Sequence, residues 1–136
     1  MVIQNLTPND LDALCELDKL CFDKAWTRES LAEESGIGIW KESSLLAAIL
    51  SREIAGEHWI FRIMTHPEYR RQGLAQKLLE ALPPKEPLWL EVSVNNLGAI
   101  KFYEQAGFKI VSRRPNYYPE DALVMRKSSS NPSLDL

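Results

Sequence analysis

Arg70-Arg71-Gln72-Gly73-Leu74-Ala75 follows an apolar run ending in Thr65-His66-Pro67-Glu68-Tyr69 and leads into Gln76-Lys77-Leu78-Leu79-Glu80-Ala81-Leu82. The order reads as a strand, a tight turn and a helix with glycine among its first residues. The first backbone N–H groups of a helix have no partner within it and carry the positive end of its dipole. Gly73 removes the side chain that would hold a ligand away from those amides, and Arg70 and Arg71 add permanent charge. Taken alone, the stretch fits both a phosphate or pyrophosphate cradle and an ordinary helix start with solvated arginines.

Downstream, Pro83-Pro84 stops this helix, and Leu88-Trp89-Leu90-Glu91-Val92-Ser93-Val94 is the clearest strand in the chain. Asn95-Asn96 caps a helix running through Ala106, with Gly107 as its left-handed terminator. Phe108 to Ser112 and Ala122 to Met125 are two further strands around the loop Arg113-Arg114-Pro115-Asn116-Tyr117-Tyr118-Pro119. Upstream, Val2 to Leu6 reads as a strand, and Thr7-Pro8 starts a helix to about Lys19 or Leu20. Thr27 caps a short helix containing Leu31. Ile37 to Trp40, Ser44 to Ser51 and His58 to Thr65 follow as strands joined by the turns at Glu42-Ser43 and Ala55-Gly56-Glu57, an antiparallel meander. The strand–helix–strand passage from His58 to Val94 makes two neighbouring strands parallel. The expectation is a single-domain α/β fold with a mixed, mostly antiparallel sheet, spanning residues 1–127, and a disordered polar tail over 128–136.

Glu91 fits a purely structural account least. In a central strand, burial on both faces is expected, and a carboxylate there must be paired, hydrated or shifted upward by desolvation. It is either an ion pair, with an arginine such as Arg62 on a neighbouring strand, or a general base beside a cleft. Tyr103 shares a helix face with Ala99, Ile100 and Ala106, as a core tyrosine or as a phenol that donates a proton. Asn96 is an N-cap or faces a ligand.

Other chemistries lack their signatures. The Gly-x-x-x-x-Gly-Lys-Ser/Thr loop, the Gly-x-Gly-x-x-Gly fingerprint and a nucleophile elbow are absent. His58 and His66 have no partner motif, so no metal is expected. A net charge of -3 argues against a nucleic-acid partner. With no membrane-length apolar run and no basic-then-apolar leader, a cytoplasmic location is expected. Cys15 and Cys21 read as reduced thiols, about 9 Å apart if they share one helix, at about 1.5 Å per residue. No feature fixes an oligomeric state.

Together with "LWLEVSVNN", "AIKFYEQAGF" and "RRPNYYPEDALVM", the Arg70–Ala75 motif resembles the GNAT superfamily of N-acetyltransferases, and within it the RimI-like enzymes that acetylate protein N-termini. Arg70 through Ala75 match the superfamily pattern Arg/Gln-x-x-Gly-x-Gly/Ala, and the resemblance runs from Ile3 to Arg126. It implies acetyl-CoA as co-substrate, contacted by the backbone of Ile63-Met64-Thr65, by the amides of Arg71, Gln72, Gly73, Leu74, Ala75 and Gln76, and by Asn96. It places Glu91 on the family's general base and Tyr103 on its general acid, with acetyl-CoA entering between splayed parallel strands. It puts Tyr117 and Tyr118 in the wall of the peptide site. The partner so implied is a protein N-terminus, in particular the N-terminal alanine of a ribosomal small-subunit protein. Acetylation of a small amine or of broad N-termini, and a non-catalytic acyl-CoA-binding domain, are the alternatives. The connection Leu82–Leu88 and the loop after Tyr118 are shorter than in similar proteins, both on the substrate side.

Overall fold

The computed structural model describes residues 1–82, 87–115 and 120–128; the expectations placed on Tyr117, on Tyr118, on the Leu82–Leu88 connection and on the tail fall wholly or largely outside them. The strands are β1 (Val2–Asn5), β2 (Ser35–Lys41), β3 (Ser44–Ile54), β4 (Glu57–Thr65), β5 (Leu88–Ser93), β6 (Lys109–Arg114) and β7 (Ala122–Lys127). The helices are α1 (Leu11–Cys21), α2 (Arg28–Ala32), α3 (Leu74–Ala81) and α4 (Leu97–Gln105). The sheet order is β1-β2-β3-β4-β5-β7-β6. The β1–β2, β2–β3, β5–β7 and β6–β7 ladders are antiparallel. The β4–β5 pair is parallel, with His58 opposite Leu88 and Trp59 opposite Trp89. This is the expected mixed α/β sheet.

The backbone forms two compact units, residues 1–52 with 60–82, and residues 53–59 with 87–115 and 120–128. In the first, α1 and α2 cover β3 and β4 with a core of Leu14, Leu17, Leu31, Leu45, Ala48, Leu50 and Met64. Leu45 through Ser51 are all buried, so β3 lies between layers on both faces. Gly36 lets β2 close on β3, since a Cβ there would stand 2.1 Å from the Ile49 carbonyl oxygen. The first helix starts later than expected. Pro8–Asp10 form a 3-10 turn, and α1 begins at Leu11 and reaches Cys21, so both free cysteines lie on it.

In the second unit, Ala55 and Gly56 carry φ of +50° and +82°, the two left-handed positions of a two-residue hairpin between β3 and β4. The expectation of two-sided burial for β5 is corrected here. Leu88, Leu90 and Val92 are buried while Trp89, Glu91 and Ser93 are half-buried, so Glu91 stands on the more open face. β6 extends beyond the expected Ser112 to Arg114. Its ladder with β7 carries a bulge: Ile110 pairs with Met125 and Ser112 with Val124, leaving Val111 as the extra residue.

Candidate active site

The turn before α3 is shaped by two left-handed residues, Arg71 (φ +64°) and Gly73 (φ +76°). A non-glycine residue in that region is uncommon and costs free energy, so Arg71 is held there by its surroundings. Among the described residues, its chain neighbours aside, nothing lies within 4 Å of a Cβ placed on Gly73, so the space there is open. Gly73 is the N-cap and supplies no side-chain hydrogen bond to the helix amides, while Lys77 N–H donates to its carbonyl at 3.0 Å. The first-turn amides of α3 are therefore left without a side-chain cap. Arg71, Gln72 and Gly73 are exposed; Leu74 is buried, and with Leu78 and Leu79 it fixes the helix from below. Ala75 and Gln76 are half-buried, and the Gln76 side chain donates along the helix to Glu80 at 3.0 Å. Open space, uncapped amides and two arginines fit an anionic pyrophosphate.

The end of β4 is tied to this turn. The Thr65 carbonyl accepts from Arg70 Nε and from Cys21 Sγ, each at 3.2 Å. Burial pushes the Cys21 thiol up against the opposing pull of Arg70, which suits its role as a neutral donor. Met64 is buried, Ile63 is half-buried, and His66 N–H donates to the Leu46 carbonyl at 2.7 Å. The first unit thus brings together Ile63–Thr65 and the segment Arg70–Gln76.

The second unit carries Glu91, Asn96 and Tyr103 on successive elements. Glu91 pairs with an arginine, but not with Arg62. Arg62 Nε instead meets Asp18 Oδ1 at 2.6 Å, while Arg114 Nη1 donates to Glu91 Oε1 at 2.8 Å. The Glu91 side chain is 23% exposed, and its other oxygen, Oε2, is buried with no hydrogen-bond partner among the described residues. Asn96 acts as the N-cap of α4, accepting from Ala99 N–H at 3.2 Å.

Tyr103 is fixed by the end of its helix. Phe108 N–H donates to the Tyr103 carbonyl at 2.9 Å and Gly107 N–H to the Glu104 carbonyl at 3.1 Å, with Gly107 at φ +103°. This is the paired bonding of a Schellman termination. The Tyr103 ring meets Phe108 and Phe102 edge-on, with centroids 5.7 and 5.4 Å away.

Burial pushes the Tyr103 hydroxyl up to about 12 from its ordinary value of 10.0. The folded protein therefore keeps a proton that the unfolded chain loses. The stability tied to it is complete below pH 10.0 and drains as pH rises toward 12, by about 1.4 kcal/mol per pH unit inside that window. Tyr103→Phe should remove that slope, and urea titrations of both proteins below and within the window will show it. An unchanged alkaline slope would mean that Tyr103 is not the group responsible.

The acetyltransferase (GNAT) family model matches residues 11–108. The chain belongs to this family. It is 31% identical over 139 aligned positions to the [ribosomal protein bS18]-alanine N-acetyltransferase of Escherichia coli K12, covering 90% of this chain and 94% of that one. The crystal structure of the ribosomal-protein-S18-alanine N-acetyltransferase from Escherichia coli superposes with a TM-score of 0.86 at 29% identity, over 96% and 94% of the two chains. Arabidopsis thaliana Naa50, in complex with the bisubstrate analogue CoA-Ac-MVNAL, shares the fold with a TM-score of 0.75 at 23% identity, over 93% and 97%. The chain is an N-acetyltransferase with acetyl-CoA as donor.

Among the described residues of this GNAT enzyme, no three His, Cys, Asp or Glu side chains gather as metal ligands, and no helix is long and apolar enough to cross a membrane. Sequence reasoning missed Arg114, the partner of Glu91. The Arg113-Arg114 doublet marked the place, but the choice between the two depends on the bulge at Val111. It also missed the Asp18–Arg62 pair, which joins residues 44 positions apart.

Proposed function

We propose that this GNAT enzyme acetylates the α-amino group of a protein N-terminus, with the N-terminal alanine of a ribosomal small-subunit protein as the substrate to test first. Residues 1–127 would form the catalytic domain. The relatives named above act on such termini, and they align with nearly the whole chain. The observation that carries the chemistry is Glu91, a half-buried carboxylate with one oxygen anchored and the other without a hydrogen-bond donor.

An α-amino group titrates near about 7.7–8.0, within reach of a carboxylate acting directly or through water, whereas a lysine side chain near about 10.4 asks more of the same base. Glu91 takes a proton from the α-ammonium, and the freed lone pair attacks the thioester carbonyl. A nitrogen–carbon bond forms and the carbon–sulfur bond breaks. Tyr103 gives its proton to the departing sulfur. The nitrogen's second proton restores Tyr103 and Glu91 gives its proton to solvent, so one amide, one thiol and one proton to solvent result. Tyr103 is protonated through the neutral range and burial raises it further, and a thiolate leaving into desolvated surroundings is raised in the same direction. Backbone N–H groups near Met64 would stabilise the oxyanion, and the amides from Arg71 to Gln76 would hold the pyrophosphate, with Ile63, Thr65 and Asn96 along the rest of the donor. Tyr117 and Tyr118 would wall the peptide side.

The test is mass spectrometry after incubation with acetyl-CoA and three acceptors: a peptide with a free N-terminal alanine, the same peptide with a blocked terminus and an internal lysine, and a small polyamine. One acetyl group on the free-terminus peptide alone is the expected result. Acetylation of the polyamine alone would overturn the N-terminal reading.

A further inference from the structure

We propose that Arg114 is a positioning residue for the acetyl-transfer reaction: it anchors Glu91 through Oε1 and so fixes the direction of the carboxylate that receives the substrate's proton. The proposal rests on the reading of Glu91 as the base.

The geometry is specific to one arginine. β6 and β5 flank β7, and the register sets Arg114 opposite Ala122 and Glu91 opposite Val124. Ala122 and Val124 are two apart and so share a face, and their partners Arg114 and Glu91 stand on that same face. Arg114 can cross β7 because the intervening side chain at 122 is only a methyl. Arg113 lies on the other face and meets Asp121, with Nε and Oδ2 at 2.8 Å. The bulge decides this assignment. With an unbroken ladder from Ile110 opposite Met125, Val111 would face Val124 and Arg113 would face Ala122.

Leaving a buried acceptor without a donor is unfavourable, more so when it is charged. Glu91 Oε2 is such an atom among the described residues, while Oε1 is held at 2.8 Å by a guanidinium. A carboxylate anchored at one oxygen cannot rotate freely, so the other keeps a fixed direction. The strand end beside it is fixed as well: Ser93 Oγ–H donates to Glu120, and Asn95 N–H donates to Ser93 Oγ at 3.1 Å. Pre-set direction is what proton transfer needs from a base.

The experiment compares Arg114→Ala, Arg114→Lys, Arg113→Ala and Glu91→Gln, with acetyl-CoA and a peptide bearing a free N-terminal alanine. Arg114→Ala should lower kcat by about 10- to 100-fold, the range for a misdirected catalytic group, with acetyl-CoA affinity by calorimetry unchanged. Arg114→Lys should recover part of the loss, since lysine returns a charge without the fixed fork. Free guanidinium should raise the rate of Arg114→Ala and not that of Arg113→Ala. The Arg114→Ala/Glu91→Gln double variant should be no slower than Glu91→Gln alone. A parent-like kcat for Arg114→Ala beside a slow Glu91→Gln overturns the proposal and leaves the base in place. A parent-like Glu91→Gln overturns the reading beneath it. If Arg114→Ala does not fold, a lysine variant with parent-like kcat still supports an anchoring charge, and a folded lysine variant as slow as Glu91→Gln with weakened acetyl-CoA binding counts against it.

Discussion

Glu91→Gln should lower kcat for acetylation of an α-amine by about 10²- to 10⁴-fold, the span expected for loss of a positioned general base, with acetyl-CoA affinity retained. The substitution keeps the size of the side chain and an oxygen that can still accept from Arg114. It places an amide N–H₂ or an amide oxygen where Oε2 stands, and neither can carry away a proton. The α-ammonium must then lose its proton to solvent, and only the fraction already neutral can attack. That fraction grows as pH passes the amine's own value near about 7.7–8.0. The deficit should therefore shrink from neutral pH upward. Single-turnover rates at two pH values, with donor binding measured by calorimetry, give both readouts. A variant turning over at the parent rate at neutral pH would remove Glu91 from the chemistry. One that lost acetyl-CoA binding in parallel would recast it as a structural residue.

Arg62→Ala should destabilise the fold by about 3–5 kcal/mol, the cost of leaving a buried charge without its partner. Asp18 is completely buried. Its Oδ1 meets Arg62 Nε at 2.6 Å, and its Oδ2 accepts from Trp26 N–H at 2.7 Å. Arg62 does more than balance the charge. Its guanidinium carbon lies 3.6 Å from the Phe22 ring centroid and 4.6 Å from that of Trp26, and Nη2 donates to the Lys24 carbonyl at 3.3 Å. Alanine removes the ion pair, two cation–π contacts and a carbonyl contact together. Asp18→Asn/Arg62→Met should be less destabilised than Arg62→Ala, because neither half leaves a charge behind. Guanidinium titrations of the parent and both variants will show the order. A single variant within about 1 kcal/mol of the parent, the worth of an exposed pair, would mean that Asp18 finds another partner or becomes neutral.

Local chemistry was legible in the sequence wherever one residue type performs one backbone task. Thr27 caps α2 through Ser30 N–H, Asn96 caps α4, and Gly107 ends it in the left-handed region. Apolar runs and the turns between them marked the strands, and the Arg70–Ala75 turn was legible as a helix start because glycine takes the left-handed position ahead of it. The illegible parts depend on long-range placement. No local sign on α1 marks Asp18 for burial, and nothing near it announces a strand residue at 62 as its partner. The central position of the apolar strand β5 predicts two-sided burial for Glu91, yet the burial of its residues alternates. The positive φ of Arg71 had no local sign either, since its side chain does not favour that region.

The extra residue at Val111 makes the numbering of this region out of phase with its geometry. Between Ile110 and Ser112 the chain advances two residues while its partner advances one, from Met125 to Val124. Every side chain beyond that point has been handed to the opposite surface of the sheet. A relative with an unbulged strand here would present its anchoring cation one place earlier in the string, so residue-by-residue matching through the doublet would equate Arg114 with a side chain facing the other way. Transfer of function between members of this family should follow the ladder across β6, β7 and β5, where the count of steps, rather than the identity of letters, names the residue that meets Glu91.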